Sequence, residues 1–118
     1  MPVNASGASN IAVTIPAGQS LSPVIVTGAL TVHGIFIPAS WTAASITFQV
    51  SSDGGTTFWE MDSVSGNLVY VVTAGHYLAI DPTLWRAINC FKIRSGTAGS
   101  PVNQVSAANL IVAPTTLF

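Results

Sequence analysis

Residues 45–61, SITFQVSSDGGTTFWEM, carry the pattern that decides the fold. Ile46, Phe48 and Val50 alternate with Thr47, Gln49 and Ser51, so one side of an extended segment is apolar and the other polar, the period of a half-buried β-strand. The run then meets Asp53-Gly54-Gly55, where an Asp carboxylate can accept backbone N–H bonds and glycine tolerates positive φ, before Thr57 and Phe58 restart an extended segment. Strand, tight turn and strand make an antiparallel hairpin.

Outward from this hairpin the same grammar repeats. IAVTI, PVIVT and TVHGIFI precede it and LVYVV, HYLAI, CFKIRS and NLIVA follow, short β-rich runs separated by Gly, Pro, Ser and Asn. This spacing predicts an all-β fold, an antiparallel β-sandwich or jelly roll of about eight strands. Phe91 and Ile93 are expected to point inward, with Cys90, Lys92 and Arg94 outward or toward a partner. One short helical turn interrupts the strands: in DPTLWRAI, Asp81 is placed as N-cap and Pro82 at the first helical position, with Leu84, Trp85 and Ile88 free to pack. PASWTAAS reads either as a second short turn of helix or as a loop anchored by Trp41. The organisation expected is an N-terminal arm over residues 1–10, too small and polar to pack by itself, a sandwich over 11–113, and a tip over 114–118 in which Pro114 ends the last strand.

At 118 residues the chain is one domain, large enough to bury a core without disulfides. Its charge is anomalous: 6% of residues are Asp, Glu, Lys or Arg, against about 25% in an ordinary soluble domain. With 49% hydrophobic residues and a mean hydropathy of +0.59, much of the surface is expected to face other protein. Oligomerisation and contact through Met1, Pro2, Val3 and the apolar pair Leu117-Phe118 follow from the same shortage. A membrane helix needs about 20 consecutive apolar residues, and runs such as GIFIPA and LVYVV are short and interrupted. The start, MPVNASGASN, lacks the basic and apolar regions of an export signal, which argues against an outer-membrane barrel and for assembly in a host cytoplasm, where the single Cys90 stays reduced. A net charge of −1, with Arg86, Lys92 and Arg94 forming no run, argues against nucleic acid as a partner.

The turn Ser51-x-Asp53-x-Gly55-x-Thr57-Phe58 resembles the Asp-box of sialidase-type β-propellers. A propeller requires at least four four-stranded blades, and one box in 118 residues leaves only the turn device. The candidate acid–base groups Asp53, Glu60, Asp62, Asp81, His33 and His76 form no catalytic set by spacing. Glu60 and Asp62 read as the solvated side of one strand, the two histidines lack the neighbours of a zinc site, and Asp53 alone is a poor calcium ligand set, so no enzyme activity, metal or cofactor is expected. Trp41, Trp59, Tyr70, Tyr77 and Trp85 could build a sugar-binding platform, or serve as core and interface anchors.

IPASWTAASITFQVSSDGGTTFWEM, AGHYLAIDP and FKIRSGTAGSPVNQ, with the small polar start, resemble a group of short proteins found among the head genes of tailed bacteriophages and prophages. The resemblance spans roughly residues 15 to 105; SAANLIVAPTTLF departs from it in carrying no charge where relatives end on a more basic strand. It implies a virion structural protein of the capsid decoration (cement) type, located on the capsid surface and bound to the major capsid protein. A homotrimer at threefold axes is expected ahead of a dimer at twofold axes. A carbohydrate- or receptor-binding module of a head fibre or tail spike is the alternative.

Overall fold

In a computed structural model of the chain, residues 9–116 are described. The alternating runs become β1 (Ile11–Ile15), β2 (Ile25–Val26), β3 (Thr31–Phe36), β4 (Ile46–Ser51), β5 (Phe58–Glu60), β6 (Asp62–Ser63), β7 (Gly66–Asn67), β8 (Tyr77–Ala79), β9 (Cys90–Ser95) and β10 (Ala108–Thr115). Two four-stranded antiparallel sheets, ordered β1-β10-β3-β8 and β2-β9-β4-β5, face each other, and β6 and β7 form a separate two-stranded ribbon.

The pairing is nested. β4 pairs with β5, β3 with β8, β2 with β9 and β1 with β10, like the rungs of one long hairpin. Rolling that hairpin up adds the contacts β3–β10 and β4–β9, which complete the two sheets of a jelly roll. The turn at residues 51–58 is the innermost bend of the roll.

Between the sheets, Ile46 and Phe48 of β4 and Phe91 and Ile93 of β9 meet Val13, Ile15, Val32, Ile35, Leu110 and Val112 of the opposite sheet, all buried. The segment after β8 supplies the centre of the core. Asp81 accepts a hydrogen bond from Thr83 N at 3.0 Å and Pro82 opens a 3₁₀ turn, Pro82–Trp85, which carries Trp85 into the interior. Its ring lies edge-on to Phe48 and Phe91, with centroids 4.7 and 5.1 Å away, the geometry aromatic quadrupoles favour. PASWTAAS is a loop rather than a helix; Trp41 is buried beneath it and donates from Nε1 to Ala44 O.

Two expectations about the strands need correction. Pro114 does not end the last strand: β10 runs on to Thr115, paired with Thr31, so the sandwich extends past residue 113. Proline is tolerated there because its nitrogen faces the side of β10 along which β1 pairs only as far as Val112. A bulge lies opposite, since Ala113 pairs with Gly34 and Pro114 with Val32, leaving His33 as the extra residue. LVYVV forms no strand; its one ladder contact is the bridge between Tyr70 and Ile46, and Val71 stands 85% exposed. The expected arm and tip contacts Met1, Pro2, Val3, Leu117 and Phe118 lie outside the described residues.

Gln104, in the polar loop before β10, is fully buried and ties one end of the roll together. Its amide accepts from Thr42 N at 2.8 Å and donates to Thr42 O and Ser95 Oγ, while its backbone bonds Gly18 N and Gln19 O. Gln104→Ala should lower the free energy of unfolding by about 1–3 kcal/mol, because the half-buried Thr42 backbone and the buried Ser95 hydroxyl lose their partner. Half-exposed Gln49→Ala should cost much less, and equal losses in urea unfolding would rule out a special role for Gln104.

Candidate functional site

The innermost turn satisfies its own backbone. Asp53 Oδ1 accepts from Thr56 N at 3.0 Å, Thr57 N at 2.9 Å and the Ser51 hydroxyl at 2.8 Å. Ser51 Oγ in turn accepts from Gly55 N at 2.9 Å and Asp53 N at 3.3 Å, and Gly54 and Gly55 take φ of +79° and +108°. The Thr57 N–H, the Ser51 hydroxyl and the Thr57 hydroxyl hold the Asp53 carboxyl well below the ordinary carboxylate range. Ser51, Asp53, Gly55 and Thr57 are thus occupied with one another.

The turn also folds over the outer side of the β2-β9-β4-β5 sheet, which explains the burial of Cys90. Cys90 does lie on the outward side of β9, but Gly55 approaches it so closely that a Cβ there would sit 3.6 Å from Cys90 Sγ and 3.5 Å from Val24. Arg94 likewise lies on the outward side of β9 and is nonetheless buried. Its guanidinium makes a fork with Glu60, Nη1–Oε1 2.7 Å and Nη2–Oε2 2.5 Å, and Nη1 also donates to Thr47 Oγ1. The side chain is only 8% exposed, against 36% for Glu60. Arg94, followed by the Gln49 amide, lowers the Glu60 pKa against a smaller desolvation effect. Lys92 lies 4.4 Å above the Phe58 ring on the same face. Glu60 and Asp62 are not neighbours on one strand face, because buried Met61 separates β5 from β6 and Asp62 accepts from Asn67 Nδ2 instead.

The opposite outer face, that of the β1-β10-β3-β8 sheet, has a different chemistry. One row crosses all four strands, Ala12–Ile111–Phe36–Tyr77, and beside it run Ala113–Gly34–Ala79 and Thr14–Asn109. None of these residues is Asp, Glu, Lys or Arg. Ile111, Phe36 and Tyr77 are 39%, 44% and 46% exposed. The Phe36 and Tyr77 rings lie 4.6 Å apart, and Tyr77 folds down over Gly34 to donate to His33 O, filling the space a Cβ at Gly34 would need. The bulged His33 contacts Thr31 O through Nδ1. At one margin, Ile37, Val71, Val72, Thr73, His76, Tyr77 and Leu78 line a depression of about 110 Å³, below the roughly 300–1,000 Å³ of small-molecule sites.

Of the five aromatic candidates, Trp41 and Trp85 are core residues and Tyr70 is half-buried against Phe48. Trp59 and Tyr77 are exposed, but on different sheets, and they do not share a platform. Among the described residues no group of three or more His, Cys, Asp or Glu is placed to hold a metal ion, and no helix is long and apolar enough to cross a membrane. The molecule is an antiparallel jelly roll with one charged and one uncharged outer face. Comparison with protein-family models, with curated proteins and with solved structures finds no match.

The uncharged row and the Gln104 knot were both missed by sequence reasoning. Alternation in β3 and β10 marks Phe36 and Ile111 as outward, so the row could have been found had the strand order been known; nothing in GTAGSPVNQ marks Gln104 as buried.

Two outcomes follow from the charged side. Asp53→Asn should melt below the parent protein at pH 7. A lowered folded-state pKa contributes stability above the unfolded value of about 3.9 and loses it as pH falls toward the folded value, so the gap between the two melting temperatures should close in acid. A gap that stays constant from pH 7 to about pH 2 would reject the assignment. Glu60→Gln should destabilise by about 1–3 kcal/mol by stranding the Arg94 guanidinium, with water at the exposed half of Glu60 keeping the loss below that of a fully buried pair. Denaturant titration of this variant beside Arg94→Met checks it: the double variant should lose less than the two single losses added together.

Proposed function

We propose that this protein is a structural component of a tailed-bacteriophage virion, a capsid decoration (cement) protein that lies on the head surface and bridges adjacent major capsid proteins. The observation that carries this reading is the uncharged outer face of the β1-β10-β3-β8 sheet, crossed by Ile111, Phe36 and Tyr77. A contiguous apolar patch on a chain with three basic and four acidic residues is a surface for protein, not for nucleic acid or a small solute. The resemblance of residues 15 to 105 to head-associated phage proteins supplies the partner.

The chemistry is association without catalysis. A ligand that binds only the assembled shell shifts its equilibrium away from rupture by mass action, and the shift grows with ligand concentration over Kd. The small residues Ala12, Ala113 and Ala79 let a neighbouring surface approach the sheet closely, and Phe36 and Tyr77 provide the aromatic anchors that dominate such contacts.

Expanded heads assembled from the major capsid protein of the same virus should take up the purified chain to a fixed copy number per head. Phe36→Lys, at a half-exposed position, should preserve the fold and weaken uptake by about tenfold or more, the loss expected for a central aromatic anchor. Absence of uptake at micromolar concentration would reject the reading, and binding to host glycans in its place would establish the receptor-binding alternative.

A further inference from the structure

Among the described residues the two sheets present four edge strands, and three of them are guarded. β2 is two residues long and preceded by Pro23, β5 is three residues long and carries Glu60, and β8 is three residues long with Tyr77 folded back over its own sheet. β1 has none of these devices. Ile11–Ile15 is a five-residue strand without charge, proline or bulge, IAVTI.

The ladder fixes which groups this edge offers. In a sheet, alternate residues direct N–H and C=O to opposite sides. Ile37 N bonds His76 O on the β8 side, so Phe36 and Gly34 bond toward β10. Ile111 and Ala113 then face β3, Leu110 and Val112 face β1, and Ile11 and Val13 answer them. Ala12 and Thr14 are left with their backbone groups directed away from the sheet.

We propose that β1 is the site of self-association, pairing antiparallel with β1 of a second copy about a twofold axis through Val13. The sequence of the strand selects that occupant. Read in either direction from Val13, IAVTI presents a small residue, then Ile, so the twofold sets Ile11 against Ile15 of the second copy and Ala12 against Thr14. The Ala12 and Thr14 pairs exchange both of their N–H···O bonds, and no like charges meet across the axis, the clash that ordinarily disfavours pairing of a strand with itself. Heterologous pairing with β2, β5 or β8 would lack this match. The contact makes dimers, and of the threefold and twofold arrangements it selects the second. It rests on the chain's own edge, so its failure would leave the capsid-binding reading standing.

Sedimentation of the full chain, read together with amide exchange, tests it. At micromolar concentration the protein should sediment at twice the 12.1 kDa of one chain, with the Ala12 and Thr14 amides slow to exchange and their protection falling on dilution. Ala12→Pro removes an N–H directed away from the sheet, not one bonded to β10, so it should give a folded monomer. Ala12→Lys, which brings two like charges within about 7–8 Å across the axis, should raise the dimer dissociation constant at least tenfold and serves if the proline variant does not fold. A monomer with freely exchanging Thr14 would overturn the proposal. So would protection independent of concentration, which marks a cover from within the same chain, and so would an oligomer that the Ala12 variants leave intact.

Discussion

The turn between β4 and β5 is the one place in the two sheets where paired strands are neighbours in sequence. All other pairs close longer loops, up to β1 with β10 at the two ends of the roll. Closing such loops loses chain entropy before any contact rewards it, which makes the innermost hairpin the natural point from which the others gain register. Register matters because the side-chain period is two, and a slip of one residue at β4 would turn Phe48 outward and Thr47 into the core. Ser51 and Asp53 prevent that slip by fixing the donors of Asp53, Gly55, Thr56 and Thr57 in one geometry.

From that bend the two neighbours of β4 follow. β5 brings Glu60 beside Gln49, and β9 brings Arg94 beside Thr47, so the fork between Glu60 and Arg94 spans the central strand from both sides. The carboxylate is positioned by the hairpin and the guanidinium by a strand distant in sequence. The ion pair therefore reports correct rolling of the sheet rather than adding much stability of its own, since half-exposed pairs contribute modestly.

Much of this was legible in the residues. Alternation in SITFQV and CFKIRS gave the inward set correctly, and Asp81-Pro82 marked the turn that delivers Trp85. What alternation cannot say is what covers the other side. Cys90 and Arg94 have the outward parity expected of them and are buried all the same, one beneath the turn and one beneath Glu60. Apolarity alone misleads in LVYVV, which reads as a strand but forms none, its one bridge being that of Tyr70 with Ile46. Pro114 and Gln104 were unreadable for a related reason: a proline is harmless where its nitrogen faces no strand, and a glutamine is buried where three loops converge, and both conditions belong to the topology.

The charge shortage is spatially organised. Asp53, Glu60, Lys92 and Arg94 lie on the β2-β9-β4-β5 sheet or its turn, Asp62 on the ribbon, and Asp81 and Arg86 in the segment between β8 and β9, leaving the opposite outer face with none. That same sheet owns the unguarded edge. In the proposed pairing of β1 with its copy, the row Ala12–Ile111–Phe36–Tyr77 would continue across the axis into the second copy's sheet, so edge pairing would enlarge the uncharged face without covering it. If the uncharged face docks on a capsid as proposed, two copies of it on one dimer would bind the repeating lattice as a bivalent ligand, in which the second contact forms at the effective concentration set by the first. A modest patch on a small domain could thereby hold a shell that neither copy would hold alone.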